Sequence, residues 1–103
     1  LMNPDNPKRA LAPTPRKILR HLIECSPRPV STFQVADYLG VDTEKYAYAT
    51  YRQQIKTLRR AFDAAEGKKG TFLQKCKDGF GIVTVGEEGA YCWKKIPDKI
   101  NNQ

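Results

Sequence analysis

One stretch of the sequence constrains the chain more than any other. Ala47, Tyr51, Ile55, Leu58 and Phe62 recur at intervals of four, four, three and four residues. That spacing predicts a helix over about Tyr46 to Ala65, because it keeps the apolar side chains on one face. The other face reads Arg52, Gln53, Gln54, Lys56, Thr57, Arg59 and Arg60, with no acid between residues 45 and 62. Such a helix needs a cover on its apolar side. Its polar side is free to meet solvent or a polyanion.

The cover must come from the same small domain. At 103 residues the chain is long enough for one modest core and too short for two. Upstream, Thr14 reads as an N-cap and Pro15 as a first helical residue. Ile18, Leu19, Leu22 and Ile23 then share one face, and Ser26-Pro27-Arg28-Pro29 ends the helix. Ser31-Thr32 caps a second helix whose expected inner face is Phe33, Val35, Ala36 and Leu39. Gly40 closes it. After Gly67-Lys68-Lys69-Gly70 the sequence alternates like strands: Thr71 to Cys76, Phe80 to Val85 and Ala90 to Lys94. Asp78-Gly79 between the first two is a hairpin signal, which would put Lys75 and Lys77 at the tip. The expected class is α+β: a winged helix-turn-helix with a three-helix core and a C-terminal β-hairpin wing, the run at 90–94 supplying a third strand. Residues 1–13 are proline-rich and read as a leader or linker, 14–96 as the domain, and 97–103 as a polar tail.

Eighteen Lys and Arg against eleven Asp and Glu give a net charge of +7 and a pI near 9.5. A domain this basic is a candidate for phosphate-rich polymers, since neutralising phosphates releases condensed counterions. Solubility alone can also use such a charge, so the placement of the cations decides. No run approaches the ~18 apolar residues that span a bilayer, and none near the start reads as a signal peptide. Cys25, Cys76 and Cys92 are odd in number and lack C-x-x-C spacing, and His21 is the sole histidine. Zinc is poorly supplied. Packed thiols in a reducing, cytoplasmic setting fit best, although Cys76 and Cys92 could meet across neighbouring strands. Catalysis has little to work with: one histidine, no phosphate-cradling loop, no nucleophile elbow, and Asp63 and Glu66 reading as solvated charges. No cofactor is called for. Tyr51 and Trp93 read as core. Tyr46 and Tyr48 are candidates for contact with a backbone or a partner.

Several of these residues resemble the effector domain of OmpR/PhoB-type response regulators. The likeness is carried by Thr14-Pro-Arg-Lys-Ile-Leu-Arg-His-Leu, by Pro29-Val-Ser-Thr and by Ile55-Lys-Thr-Leu-Arg-Arg-Ala-Phe62. The run Leu73-Gln-Lys-Cys-Lys-Asp-Gly79-Phe-Gly81-Ile82 matches the closing hairpin with one extra residue before the first glycine. It spans about residues 13–85. The four-stranded N-terminal sheet of that family has no counterpart in the proline-rich leader, and the strand around Trp93 is not a feature of it. The resemblance implies a transcription regulator that binds double-stranded DNA by sequence, with Gln54, Lys56, Thr57 and Arg59 in the major groove. The wing, near Lys75, Lys77 and Gly79, would lie on adjacent backbone. Family members often carry a base-reading arginine where Thr57 stands. Threonine cannot grip guanine bidentately, and Gln53 and Gln54 suit adenine, so some A·T preference is expected. A homodimer or tandem copies would supply two half-sites about 10 bp apart, and contact with RNA polymerase is a further implied partnership. Two other functions use the same layout: a winged helix serving as a protein–protein module, and an RNA-binding or architectural nucleic-acid protein.

Overall fold

The computed structural model describes residues 1–65, 71–86 and 89–96, with the backbone alone at 71–73. It is an α+β fold. Within those residues the order is β1 (Met2–Asn3), β2 (Asn6–Ala10), α1 (Pro13–Cys25), α2 (Thr32–Leu39), α3 (Tyr48–Ala64), α4 (Thr71–Lys77), β3 (Phe80–Val85) and β4 (Ala90–Lys95). The strands form two antiparallel hairpins, β1–β2 and β3–β4. The Gly67-Lys68-Lys69-Gly70 break and the expected polar tail at 97–103 lie outside the described residues.

Helix α1 starts earlier than its sequence suggests. Ala12, not Thr14, is the N-cap, and it makes no side-chain cap bond. Pro13 and Pro15 both fall in the first turn, where the backbone N–H groups have no intrahelical acceptor, so two prolines cost the helix no hydrogen bond. Pro15, Ile18, Leu19 and Leu22 are buried. In α2 the Ser31 hydroxyl accepts from the Gln34 N–H, and the Gln34 side chain accepts from the Ser31 N–H, a reciprocal capping box. Gly40 sits at φ 73° in the left-handed region and closes the helix, as its sequence position implied. Val35 and Ala36 face inward, but Phe33 does not: it is 63% exposed. The helix has only two turns, and Val35 and Ala36 already aim at the core, so Phe33 lies on its flank.

Helix α3 follows the predicted stripe. Tyr51, Ile55, Leu58 and Ala61 are buried and Phe62 is half-buried. Ala47 is exposed and is the N-cap rather than part of the stripe. The Tyr51 hydroxyl, wholly inside, donates to the Val30 carbonyl at 2.9 Å. Its ring meets Tyr91 edge-on at 5.0 Å between centroids. Burial drives the Tyr51 hydroxyl pKa well above its ordinary value.

The sequence after residue 70 is organised differently from the expectation. Thr71 to Lys77 is the helix α4, not a strand. Phe72, Leu73 and Cys76 stand at i, i+1 and i+4, which is helical spacing, and over so short a run this competes evenly with alternation. Gly79, at φ 95°, follows the end of α4 instead of turning a hairpin. The hairpin is therefore shifted by one element: Phe80–Val85 pairs with Ala90–Lys95, in the register Ile82 to Trp93 and Thr84 to Tyr91. The expected third strand is its second arm. Cys76, on α4, is not on a strand beside Cys92, and Cys25 and Cys92 are thiols.

A backbone pairing joins the two halves of the chain. Val30, between α1 and α2, pairs antiparallel with Tyr91. The Val30 N–H donates to the Tyr91 carbonyl at 2.8 Å, and the Tyr91 N–H donates back at 3.2 Å. Helix α1 packs on α3, α2 and β4. Trp93, 4% exposed as its core reading requires, fills the space under Phe62 and Phe80.

At the other end, the proline-rich leader is a hairpin. Asp5 N–H donates to Asn3 Oδ1 at 2.8 Å, and Lys8 N–H to Asn6 Oδ1 at 3.3 Å, so two asparagine side chains shape its turn. All five residues of β2 are exposed. The hairpin is tethered by Leu11, 2% exposed, whose N–H donates to the Leu1 carbonyl at 3.0 Å.

Candidate nucleic-acid interface

With Tyr51, Ile55 and Leu58 inward, the helix period turns residues 52, 53, 56 and 60 outward. Arg52, Gln53, Lys56 and Arg60 are all exposed. From 52 to 60 the helix rises ~12 Å at 1.5 Å per residue, close to the width of a major groove. Three of these four side chains are cations, and no carboxylate shares their stretch of helix.

The remaining sequence candidates fall elsewhere. Gln54 is half-buried at the edge of the face. Thr57 is half-buried too, and its Oγ1 donates to the Gln53 carbonyl at 3.1 Å. That bond occupies its hydroxyl proton, so the methyl is what it has left to offer a base. Arg59 turns sideways onto the C-terminal hairpin: Nη2 donates to the Ile82 carbonyl at 2.9 Å and to Thr84 Oγ1 at 3.2 Å. Its guanidinium also lies 5.7 Å from the centre of the Tyr91 ring. A guanidinium held by a strand carbonyl, a hydroxyl and an aromatic face ties α3 to β3 and is not presented as a base reader.

Arg60 is open but already partnered. Its guanidinium meets Asp5 of the N-terminal turn, Nη2 to Oδ1 at 2.5 Å and Nη1 to Oδ2 at 3.5 Å. The side chains are 45% and 71% exposed, so solvent screens the pair. The same bond raises the pKa of Arg60 further, through the hydrogen bond first and the charge of Asp5 second.

Lys75 and Lys77 are not at a hairpin tip. Both lie in the last turn of α4, where positive charge suits the helix C-terminus, and the Lys75 ammonium stands 5.0 Å over the Phe80 ring. The connection between β3 and β4 instead carries Glu87 and Glu88 in its sequence. Gly89, just before β4, rests on the start of α3. A Cβ built at Gly89, φ 80°, would collide with the Tyr48 ring, so this position requires glycine on both conformational and steric grounds. The Tyr48 and Tyr91 hydroxyls lie 3.3 Å apart. Burial, followed by that contact, pushes the Tyr91 pKa up to about 12. The start of α3 and the turn of the C-terminal hairpin thus lie at one end of the domain.

No protein-family model, curated protein or solved structure matches this chain. Among the described residues no group of three His, Cys, Asp or Glu could hold a metal ion, and no helix is long and apolar enough to cross a membrane. Sequence reasoning missed Asp5 as a neighbour of the face. The turn-forming run Asn3-Pro4-Asp5-Asn6 was the available signal for it. Tyr48, a sequence candidate for contact with a backbone or a partner, lies against Gly89 and Tyr91 of its own chain.

Proposed function

We propose that this domain is a winged helix-turn-helix that binds double-stranded DNA, with α3 in the major groove, as in a transcription regulator of OmpR/PhoB type. The observation that carries the reading is the outward face of α3: Arg52, Gln53, Lys56 and Arg60 exposed along ~12 Å of helix, behind a fully buried stripe. The Val30 to Tyr91 pairing supports it, since this isolated bridge sets a residue preceding α2 beside the hairpin that closes the domain, as a winged layout requires. Arg52 and Lys56 supply phosphate attraction. Gln53 supplies a donor and an acceptor for an adenine edge.

The test is fluorescence anisotropy with labelled duplexes of random sequence, with scrambled competitors and with RNA, over a range of salt. Groove binding predicts a linear fall of log K with log salt, near −0.9 for each phosphate neutralised. The double variant Arg52→Gln, Lys56→Gln should flatten that slope by about 1.8. A wild-type affinity indifferent to salt, or equal for RNA and DNA, sinks the proposal. Selection from the random duplexes then reports a preferred site.

One observation favours a second reading, a protein-interaction module. Phe33, Tyr38 and Val41 are exposed around α2. Phe33 and Tyr38 line a cavity of about 370 Å³ with His21, Cys25, Arg28 and Asp37. If that surface is the working one, Phe33→Ala abolishes a partner interaction and leaves DNA affinity untouched.

A further inference from the structure

Resting on the DNA-binding reading, we propose that the ribbon holding the phosphate backbone beside α3 is the N-terminal hairpin, through Lys8 and Arg9, and not the C-terminal one. The assignment begins with charge. The C-terminal hairpin carries Glu87 and Glu88 in its connection, its inner strand residues are buried, and Lys75 and Lys77 belong to α4. A carboxylate pair repels phosphate, and the exposed cations of this hairpin, Lys94 and Lys95, stand at the opposite end of β4 from that connection.

The N-terminal hairpin has the opposite character. Every residue of β2 is exposed, so the strand contributes nothing to the core and packing does not explain its order. It is nevertheless held in two places. Leu11 is sunk in the core at its root. Asp5, in its turn, grips Arg60 on the open face of α3. Lys8 and Arg9 follow Asp5 by three and four positions, in a strand that rises ~3.3 Å per residue. They therefore fall ~10–13 Å along the chain from a residue anchored on the groove-facing helix. A major groove is ~12 Å across, so a helix seated in it leaves the flanking phosphates at about that reach. The geometry suits cations that position the helix and carry no sequence information.

The experiment compares two pairs of charge removals in the full chain, read by salt-dependent anisotropy with a labelled duplex of random sequence. Lys8→Gln with Arg9→Gln removes two charges from β2. Lys94→Gln with Lys95→Gln removes two from exposed positions on β4. All four positions are exposed, and circular dichroism confirms that each variant is folded. Because neighbouring strand residues face opposite sides, the first pair should flatten the log–log slope by about 0.9 to 1.8 and weaken binding severalfold or more near 0.1 M salt. The second pair should change the slope by less than half of that. Equal losses from both pairs mean that only net charge matters and overturn the proposal. An unchanged slope for the first pair, while Arg52→Gln with Lys56→Gln still flattens it, overturns the proposal and leaves the DNA-binding reading standing. A wild-type chain that does not bind the duplex removes both.

Discussion

The two hairpins share an antiparallel pairing and little else. The β3–β4 hairpin buries Ile82, Tyr91, Cys92 and Trp93, takes two hydrogen bonds from Arg59 and is paired to Val30. The β1–β2 hairpin is all but exposed, is shaped by asparagine side chains and leans on α3 through one solvent-screened ion pair. The difference teaches that position in the chain is a poor guide to role here. The hairpin that follows the basic helix is part of the core, and the one preceding the helices is the more available for contact. Free energy separates them, because burial of aromatic surface is worth several kcal/mol and a surface ion pair is worth a fraction of one.

The contrast can be broken most severely at Trp93. Trp93→Ala should cost about 3–5 kcal/mol, since a large buried ring is lost beneath Phe62 and Phe80. Denaturant unfolding measures it, and a loss under 1 kcal/mol would mean that the C-terminal hairpin is no part of the core. Alkali should act next. Tyr51 and Tyr91 both have raised pKa values in the folded state, Tyr91 about 12. Unfolded tyrosine titrates near pH 10. The unfolded chain therefore loses those protons first. Stability is intact below about pH 10 and declines above it by up to about 1.4 kcal/mol per pH unit for Tyr51 alone. Thermal melts from pH 8 upward, with tyrosinate absorbance, should show ionisation and unfolding together. Tyrosinate forming ahead of unfolding would contradict the burial of Tyr51.

Arg59→Ala should have a middling effect, about 1–2 kcal/mol, with faster amide exchange along β3, because the Ile82 carbonyl and Thr84 hydroxyl lose a charged donor. Exchange unchanged in β3 would detach this arginine from the hairpin. The smallest effect belongs to Asp5→Asn, well below that of Arg59→Ala and fading at high salt. If it instead unfolded the domain, the N-terminal hairpin would have to be reclassified with the core.

These same features mark how far the sequence could be read. The α3 stripe was legible because it repeats over several turns, and one misplaced member, Ala47, does not hide it. The α2 start was legible because Ser31 and Gln34 form a local motif. The hairpin was misplaced because Asp78-Gly79 is a turn signal wherever it stands, and a seven-residue run at 71–77 is too short for one period to exclude the other. The hold of the C-terminal hairpin on Arg59 was illegible for a different reason. Helical spacing says which side chains leave the core, but a residue on the flank is claimed by whichever element lies beside it, and here that is β3. Asp5 and Arg60 are far apart in the chain, and no local pattern pairs two exposed charges.

The seam at residue 30 has a consequence for how the protein comes into being. Ser26 donates its hydroxyl to the Trp93 carbonyl, 67 positions later, and Val30 exchanges backbone bonds with Tyr91. On a ribosome the three helices emerge with this edge still open, and nothing made up to that point can close it. Such distant partners must bear the cost of looping before they gain anything from meeting. Assembly should therefore occur as one late, concerted event once the closing strand is free. Nascent chains cut before Tyr91 should be protease-sensitive throughout.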